Sequence, residues 1–217
     1  YRFLEGVRIQ ERGAITFERN LQDDYIKFIR FSEIQITTSG VGICGIITNH
    51  AFLSNITLRG MRANLMRSFN QIRILDLHGN SKIKEEAPDE GIDENVFDIQ
   101  QGVSVSLMIC NLKSGERCVT YAEMWGKRES KYASLLSALH AVRGQTLAPK
   151  APNHLFILRD EKVAKEYEAW PRLNEMFLIY GSAITTARDN VVVDFEDSAI
   201  IRRVDIFQNN KLSDKEI

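Results

Sequence analysis

The sequence predicts an α/β fold: strands alternating with helices, followed by a mixed α+β region. Three observations carry this. Residues 21–77 switch between helical spacing and short apolar runs, giving helix, strand, helix, strand. The connection between those strands is long enough for a crossover helix, which points to a parallel unit. After Gly126 the texture changes, with Gly144, Pro149, Pro152 and Pro171 breaking the pattern into shorter pieces.

Taken in order, residues 1–20 show no clear period and read as loop. Asn20 is a candidate N-cap, with Asp23 and Asp24 in the first turn, where the helix dipole favours negative charge. Leu21, Tyr25, Phe28 and Ile29 then repeat at helical spacing, placing a helix over 21–36 that ends before Gly40. The apolar run Val41–Thr48 reads as an interior strand of a parallel sheet. Leu58, Met61, Leu65 and Phe69 mark one face of a second helix, 57–69, and residues 72–77 a second strand.

The stretch 78–101 is polar, acidic and broken by Pro88 and Gly91, a long exposed loop of the kind that is usually functional or mobile. Val103, Val105 and Leu107 alternate with Ser104 and Ser106 as a strand. Cys118–Trp125 is its expected antiparallel partner, with Lys113-Ser114-Gly115 as the turn. Beyond Gly126 the pattern gives a helix over 127–140 and a linker over 144–153. A short strand over 155–158 and a helix over 162–170 follow. Residues 176–180 and 191–195 look strand-like, and 197–207 helical.

The chain has 217 residues, 44% apolar and 26% charged, an ordinary globular composition. That excludes a disordered tail or a disulfide-stapled miniprotein. No run of about 18 apolar residues is present to span a membrane. Cys44, Cys110 and Cys118 are odd in number and unpaired in spacing, which suits a reducing cytoplasm. The chain begins at Tyr1 without a methionine, which suggests a segment of something longer.

The net charge of −1 is unevenly spread: +3 over residues 1–80, −5 over 81–101 and +1 over 102–217. The chain lacks the overall positive bias of a free-standing nucleic-acid binder. One local basic stretch, 57–75, holds Arg59, Arg62, Arg67 and Arg73 and no acid.

Several short motifs carry possible chemistry. Gly40-Val-Gly-Ile-Cys-Gly45 spells a dinucleotide fingerprint, but it follows a helix and opens a strand, the reverse of what phosphate binding needs. It is better read as a helix stop plus close packing. Thr48-Asn49-His50 and Asp76-Leu-His78-Gly-Asn80 each follow a strand, where ligands of open α/β sheets gather. His50 there suits acid–base work, and Asp76 can bind a hydroxyl or amine. Equally, Asn and Asp simply suit turns. The four histidines and three cysteines show no metal-ligand spacing, so no structural zinc is expected. Phe97 reads as a stacking surface for a base or as a plug that anchors the loop.

These segments together resemble adenine-specific DNA methyltransferases, most narrowly the methyltransferase region of Type ISP and related single-chain restriction–modification enzymes. The likeness lies in Leu21-Gln-Asp-Asp-Tyr25-Ile-Lys27-Phe28, Gly45-Ile-Ile-Thr48-Asn49-His50, Arg59-Gly60-Met61-Arg62 and Ile74-Leu75-Asp76-Leu77-His78-Gly79-Asn80-Ser81. It continues in Asp93-Glu-Asn95-Val-Phe97-Asp98-Ile-Gln100-Gln101-Gly102, Trp125-Gly126, Lys131-Tyr132 and Thr185-Thr-Ala-Arg188-Asp189.

The resemblance implies a Rossmann-like sheet that binds S-adenosylmethionine. It also implies a polar tetrad of the NPPY type, which holds the amine of a flipped-out adenine. This sequence contains no Pro-Pro dipeptide and no upstream cofactor motif. The resemblance therefore implies the second half of the methyltransferase domain over 1–125 and the start of a target-recognition or connecting region over 126–217. S-adenosylmethionine is the implied cofactor of the parent enzyme, none being expected for this chain alone, which would be inactive. Tyr25 and Phe28 are placed at the edge of the cofactor site. Phe97, Asn49, Arg59, Arg62 and Arg188 are placed near DNA. The implied partners are double-stranded DNA and the upstream half of the domain, with no membrane. The alternative is a non-catalytic DNA-binding or assembly module of a restriction–modification complex.

Overall fold

The computed structural model describes residues 2–4, 6–9, 20–83, 85–111, 116–137, 144–177 and 193–208. The chain forms two compact units, residues 1–159 and 160–217. The first holds a small ribbon of β1 (Phe3–Leu4) and β2 (Val7–Arg8) and a five-stranded sheet. Its elements run α1 (Asp24–Ser39), β3 (Val41–Asn49), α2 (Arg59–Ser68), β4 (Gln71–Asp76), β5 (Val103–Asn111), β6 (Cys118–Glu123), α3 (Arg128–Ser137) and β7 (Gln145–Leu147). The second unit holds α4 (Glu161–Glu168), α5 (Leu173–Met176) and α6 (Asp197–Gln208).

The α/β class holds, but the sheet is mixed. Its order is β3-β5-β4-β6-β7. β5 lies between β3 and β4 and runs antiparallel to both, while β6 pairs parallel with β4. β3, β4 and β6 therefore share one direction and place their carboxyl ends along one edge.

Two sequence expectations fail here. Val41–Asn49 is an outer strand, with Val41, Ile43 and Ile47 exposed. A two-sided apolar run also fits an edge strand whose second face is uncovered. Residues 103–111 and 118–123 do not form a hairpin, because β4 lies between them and takes both as neighbours. The expected turn at 113–115 lies outside the described residues.

The main core lies between the sheet and helices α1 and α2. Ile26 and Ile29 of α1 and Met61 and Leu65 of α2 pack with Ile72, Ile74, Met108 and Cys110 from the strands. On β5 the inward positions are Ser104, Ser106, Met108 and Cys110, while Val103, Val105 and Leu107 face the other side. There Val103 joins Leu77 and Val96 in a smaller apolar cluster with Leu135 of α3 packed on it.

Helix α1 begins three residues later than the sequence suggests, with Asp23 at its N-cap, while Asn20 Nδ2 donates to Thr57 Oγ1 at 2.8 Å. It stops at Gly40, which takes a left-handed φ of 77° and donates its N–H to Ile36 O. Gly42 lies directly under Ile36, so the glycine run is a helix stop and a close approach, as its context implies. Glu33, fully buried, ties α1 to α2 by accepting from Asn64 Nδ2 and Ser68 Oγ and pairing with Arg30.

The expected linker over 144–153 contributes β7, an edge strand on β6. Residues 155–158 are not a strand, yet Phe156 is fully buried in the main core. Residues 161–168 and 197–208 are helical as the pattern predicts. Met176 ends the helical turn α5, and 193–195 is not a strand; residues 178–192 lie outside the described residues. No helix among the described residues is long and apolar enough to cross a membrane.

Candidate functional site

The carboxyl ends of β3, β4 and β6 bring together residues spread across 76 positions of sequence. His50 follows β3, Asp76 ends β4 with His78 just beyond, and Glu123 ends β6 with Trp125 just beyond. The loop 77–102 folds back over this edge and adds Asn80 and Glu85.

Asp76 is the hub. Its Oδ1 lies 3.0 Å from His50 Nδ1 and accepts the His78 backbone N–H at 3.1 Å. Its Oδ2 accepts from Tyr121 Oη at 3.3 Å, and the same hydroxyl reaches Glu123 Oε2. His78 Nδ1 lies 2.8 Å from Glu85 Oε1, and its Nε2 lies 3.5 Å from Glu123 Oε2. Trp125 stacks on the His78 ring, with centroids 3.4 Å apart and planes 14° from parallel. His50 Nε2 lies 3.3 Å from Asn80 Nδ2. Two imidazoles thus sit among three carboxylates.

Position shifts their acidity. Burial would lower the His50 pKa, but the hydrogen bond to Asp76 and the charges of Asp76 and Glu85 outweigh it and leave the imidazole more basic than usual. Burial pushes the Asp76 carboxyl up, yet the His50 hydrogen bond and both imidazoles hold it below its ordinary value. Glu85 is lowered in the same way, the hydrogen bonds from His78 and the Asn80 N–H overcoming burial. The Tyr121 phenol is pushed up by burial and by the adjacent Asp76 and Glu123 charges, so it stays a proton donor.

A second buried network holds the loop in place. Lys131 Nζ pairs with Asp93 Oδ1 at 2.6 Å, both side chains being sealed from solvent. The same ammonium donates to Leu77 O and Glu94 O at 2.7 Å each. Asp93 accepts the backbone N–H groups of Gly79 and Gly126. Asn95 Nδ2 donates to Gly79 O and Gln101 O, and Tyr132 Oη donates to Val96 O. The acidic loop is therefore tied down at its middle rather than loosely exposed. Gly102 is required at its end, because a Cβ there would overlap the His50 ring.

Beside the cluster lies an open cleft of about 580 Å³ lined by Gly79, Asn80, Glu85, Asn95, Phe97 and Arg128, among others. Phe97 is 45% exposed on this wall. Arg128 fixes the turn that presents it, donating to Asn95 O, Phe97 O and Asp98. The cleft offers one aromatic face, amide groups and carboxylates, a set that suits a planar, hydrogen-bonding ligand.

The sequence-predicted residues divide sharply. Phe97 lines the cleft. Asn49 stands at the end of β3, where its side chain accepts the Ala51 N–H at 2.8 Å and caps the next turn. Arg59 Nη1 donates to Ile56 O on an exposed turn. Arg62 needs correction: it is fully buried, and its guanidinium donates to the carbonyls of Phe52, Asn55, Asn153 and His154. It is a strut that cannot reach DNA, and burial pulls its pKa down to about 10. Tyr25 packs against Phe52, and Phe28 is exposed on α1; neither lines the cleft. Arg188 lies outside the described residues.

Glu85, Glu123, Tyr121 and Lys131 were not singled out for chemistry by sequence reasoning. No local signal marks Glu85 among the acids of its loop. Its role follows from the fold alone. Likewise His50, His78 and Glu85 have no ligand-like linear spacing, but their ligand atoms all lie within 4.8 Å of one another.

The same fold occurs in Type ISP restriction–modification enzymes. A nuclease-deletion mutant of the Type ISP enzyme LlaGI, in complex with a DNA substrate mimic, matches 86% of this chain and 18% of its own, with a TM-score of 0.64 and 19% identity. The ATP-dependent Type ISP enzyme LlaBIII, bound to DNA, matches 84% of this chain and 13% of its own, with a TM-score of 0.61 and 24% identity. A cryo-EM structure of a DrdV–DNA complex matches 86% and 20%, with a TM-score of 0.61 and 22% identity. This chain spans a fifth or less of each of those proteins. At such identities the likeness is one of fold. No protein-family model and no curated protein matches the sequence.

Proposed function

We propose that this chain is a module of a DNA-acting restriction–modification enzyme, and more narrowly the later half of an adenine-specific methyltransferase domain. One observation carries the reading. The motifs that resemble such methyltransferases, Thr48–His50, Asp76–Ser81, Asp93–Gly102 and Trp125-Gly126, converge on one carboxyl edge of the sheet. Open α/β sheets bind ligands there. In this reading the cleft beside Phe97 receives the flipped base, whose unstacking cost of a few kcal/mol is partly offset by stacking on the ring. The tetrad that polarises the amine and the S-adenosylmethionine motif are supplied by the upstream half of the domain.

The outer strand β3 supports an assembly role. Among the described residues it pairs only with β5, and it carries exposed Val41, Ile43 and Ile47. Helix α1, which packs on it, exposes Phe28, Phe31 and Ile34. Such an edge suits a neighbour that extends the sheet.

The test is methyl transfer from labelled S-adenosylmethionine to duplex DNA, by this chain alone and by the chain joined to an upstream segment that carries the tetrad. The expected result is transfer only by the joined protein, reduced at least tenfold by Phe97→Ala. Transfer by the 217-residue chain alone would refute the half-domain reading. A joined, folded protein that binds DNA but never methylates it would leave the binding module as the function.

A further inference from the structure

His50, His78 and Glu85 present three potential ligand atoms within 4.8 Å of one another at the carboxyl edge of the sheet. We propose that His50 Nε2, His78 Nδ1 and a Glu85 carboxylate oxygen form the protein face of a site for a divalent first-row transition-metal ion, with a position left open toward the cleft. Two imidazoles and one carboxylate are a ligand set that suits zinc and its neighbours, and three protein ligands leave room for a water or substrate atom.

The outer partners give the second argument. A ligating histidine usually donates its other ring N–H to a carboxylate or carbonyl, which fixes the tautomer. His50 has such a partner. His50 Nδ1 lies 3.0 Å from Asp76 Oδ1, so a proton held there puts the lone pair on Nε2, where, among the described residues, only the Asn80 amide, 3.3 Å away, makes a hydrogen-bond contact. His78 Nε2 is buried without a hydrogen-bond partner among the described residues, with Glu123 Oε2 3.5 Å away, and a small shift of that carboxylate on metal binding would supply one and leave Nδ1 for the ion. His78 Nδ1 is the nitrogen that faces Glu85, 2.8 Å from its Oε1. Trp125, stacked on His78, holds that ring in plane.

Charge points the same way. Asp76, Glu85 and Glu123 outnumber the two imidazoles, and no lysine or arginine bond to these three carboxylates is seen among the described residues. A cation between the rings would relieve that excess. Asn80 Oδ1 is buried without a hydrogen-bond partner among the described residues, and its Nδ2 lies 3.3 Å from His50 Nε2, so a flip of the amide would turn the oxygen toward the site. In the metal-free state His78 Nδ1 and Glu85 Oε1, 2.8 Å apart, share a proton. An ion bound there takes the place of that contact: the Nδ1 proton leaves to solvent and Nε2 takes one up, so the ligating ring is neutral.

This inference is independent of methyl transfer, and its test needs none. The full chain is stripped with chelator and titrated with Zn2+ by calorimetry and with Co2+ by visible absorption. One equivalent of saturable binding is expected. Glu85→Gln and His50→Gln should weaken it at least thirtyfold, and Asp76→Asn, which alters the outer partner of His50, about tenfold. Cys118→Ser, which removes the half-exposed thiol, should leave it unchanged. Circular dichroism checks that each variant is folded. A measurement on the unaltered chain guards against variants that fail to fold: imidazole nitrogen NMR should show His50 Nε2 and His78 Nδ1 shifting on addition of Zn2+. Absence of saturable binding by the folded chain would overturn the proposal. So would binding indifferent to the His50 and Glu85 changes, binding lost in Cys118→Ser, or imidazole shifts confined to other histidines.

Discussion

Replacing Lys131 by methionine tests whether the buried Lys131–Asp93 pair holds the acidic loop over the sheet edge. Methionine keeps most of the volume and removes the charge. The Asp93 carboxylate, sealed from solvent, loses a partner at 2.6 Å, while Leu77 O and Glu94 O each lose a donor at 2.7 Å. Breaking a buried pair by removing one partner costs about 3–5 kcal/mol. Asp93 keeps the Gly79 and Gly126 N–H donors, which places the loss near the lower end, about 3 kcal/mol. At a urea slope of about 2 kcal/mol/M the unfolding midpoint falls by about 1.5 M. Trp125 fluorescence reports the site directly, in a Trp170→Phe background that silences the other tryptophan. The double variant Asp93→Asn/Lys131→Met removes the stranded charge and should recover at least about 1 kcal/mol. A single-variant loss below about 1 kcal/mol, or a double variant no better than the single, would refute the reasoning.

Three further outcomes are expected. Gly102→Ala drives a Cβ into the His50 ring, so it should cost about 1–3 kcal/mol in chemical denaturation and displace the His50 imidazole resonances; an unperturbed His50 would contradict the close approach. Arg62→Met should destabilise the chain by about 3 kcal/mol or more, because four carbonyls lose a charged donor. Arg59→Ala, on an exposed turn, should cost less than about 1 kcal/mol, and equal thermal shifts for the two would sink the strut assignment. Ile43→Lys with Ile47→Lys on the uncovered face of β3 should leave circular dichroism unchanged and reduce the binding of an apolar dye; loss of the fold would mean that these residues are core.

The elements of this protein are largely written in local pattern. Leu21–Ile29 spacing, the Gly40 stop, the 59–68 amphipathic face and the short run at 71–76 each depend on neighbours three, four or two residues away, so the sequence shows them. Pairing depends on partners far along the chain. The strand at 103–111 inserts between β3 and β4, and nothing local tells Cys118–Glu123 to join β4 in parallel rather than to fold back as a hairpin. The serines of β5 mislead for a related reason: they read as the wet face, yet they face the helices while the valines cover a second, smaller core.

The site follows the same division. His50, Asp76, His78 and Phe97 were legible because they follow strands or lie on a long loop, where chemistry gathers in α/β proteins. Arg62 was misread because a basic stretch looks the same whether its guanidinium meets solvent or four buried carbonyls. The sequence by itself determined the α/β class, the helix stops, the absence of the proline tetrad and which residue types stand at strand ends. Only the tertiary structure decided that His50, Asp76, His78, Glu85 and Glu123 form one cluster, and that Asp93 and Lys131 clamp the loop beside it. Residues 50 and 123 meet because three parallel strands share one carboxyl edge, and strand order is set by long-range packing that no short window of sequence contains.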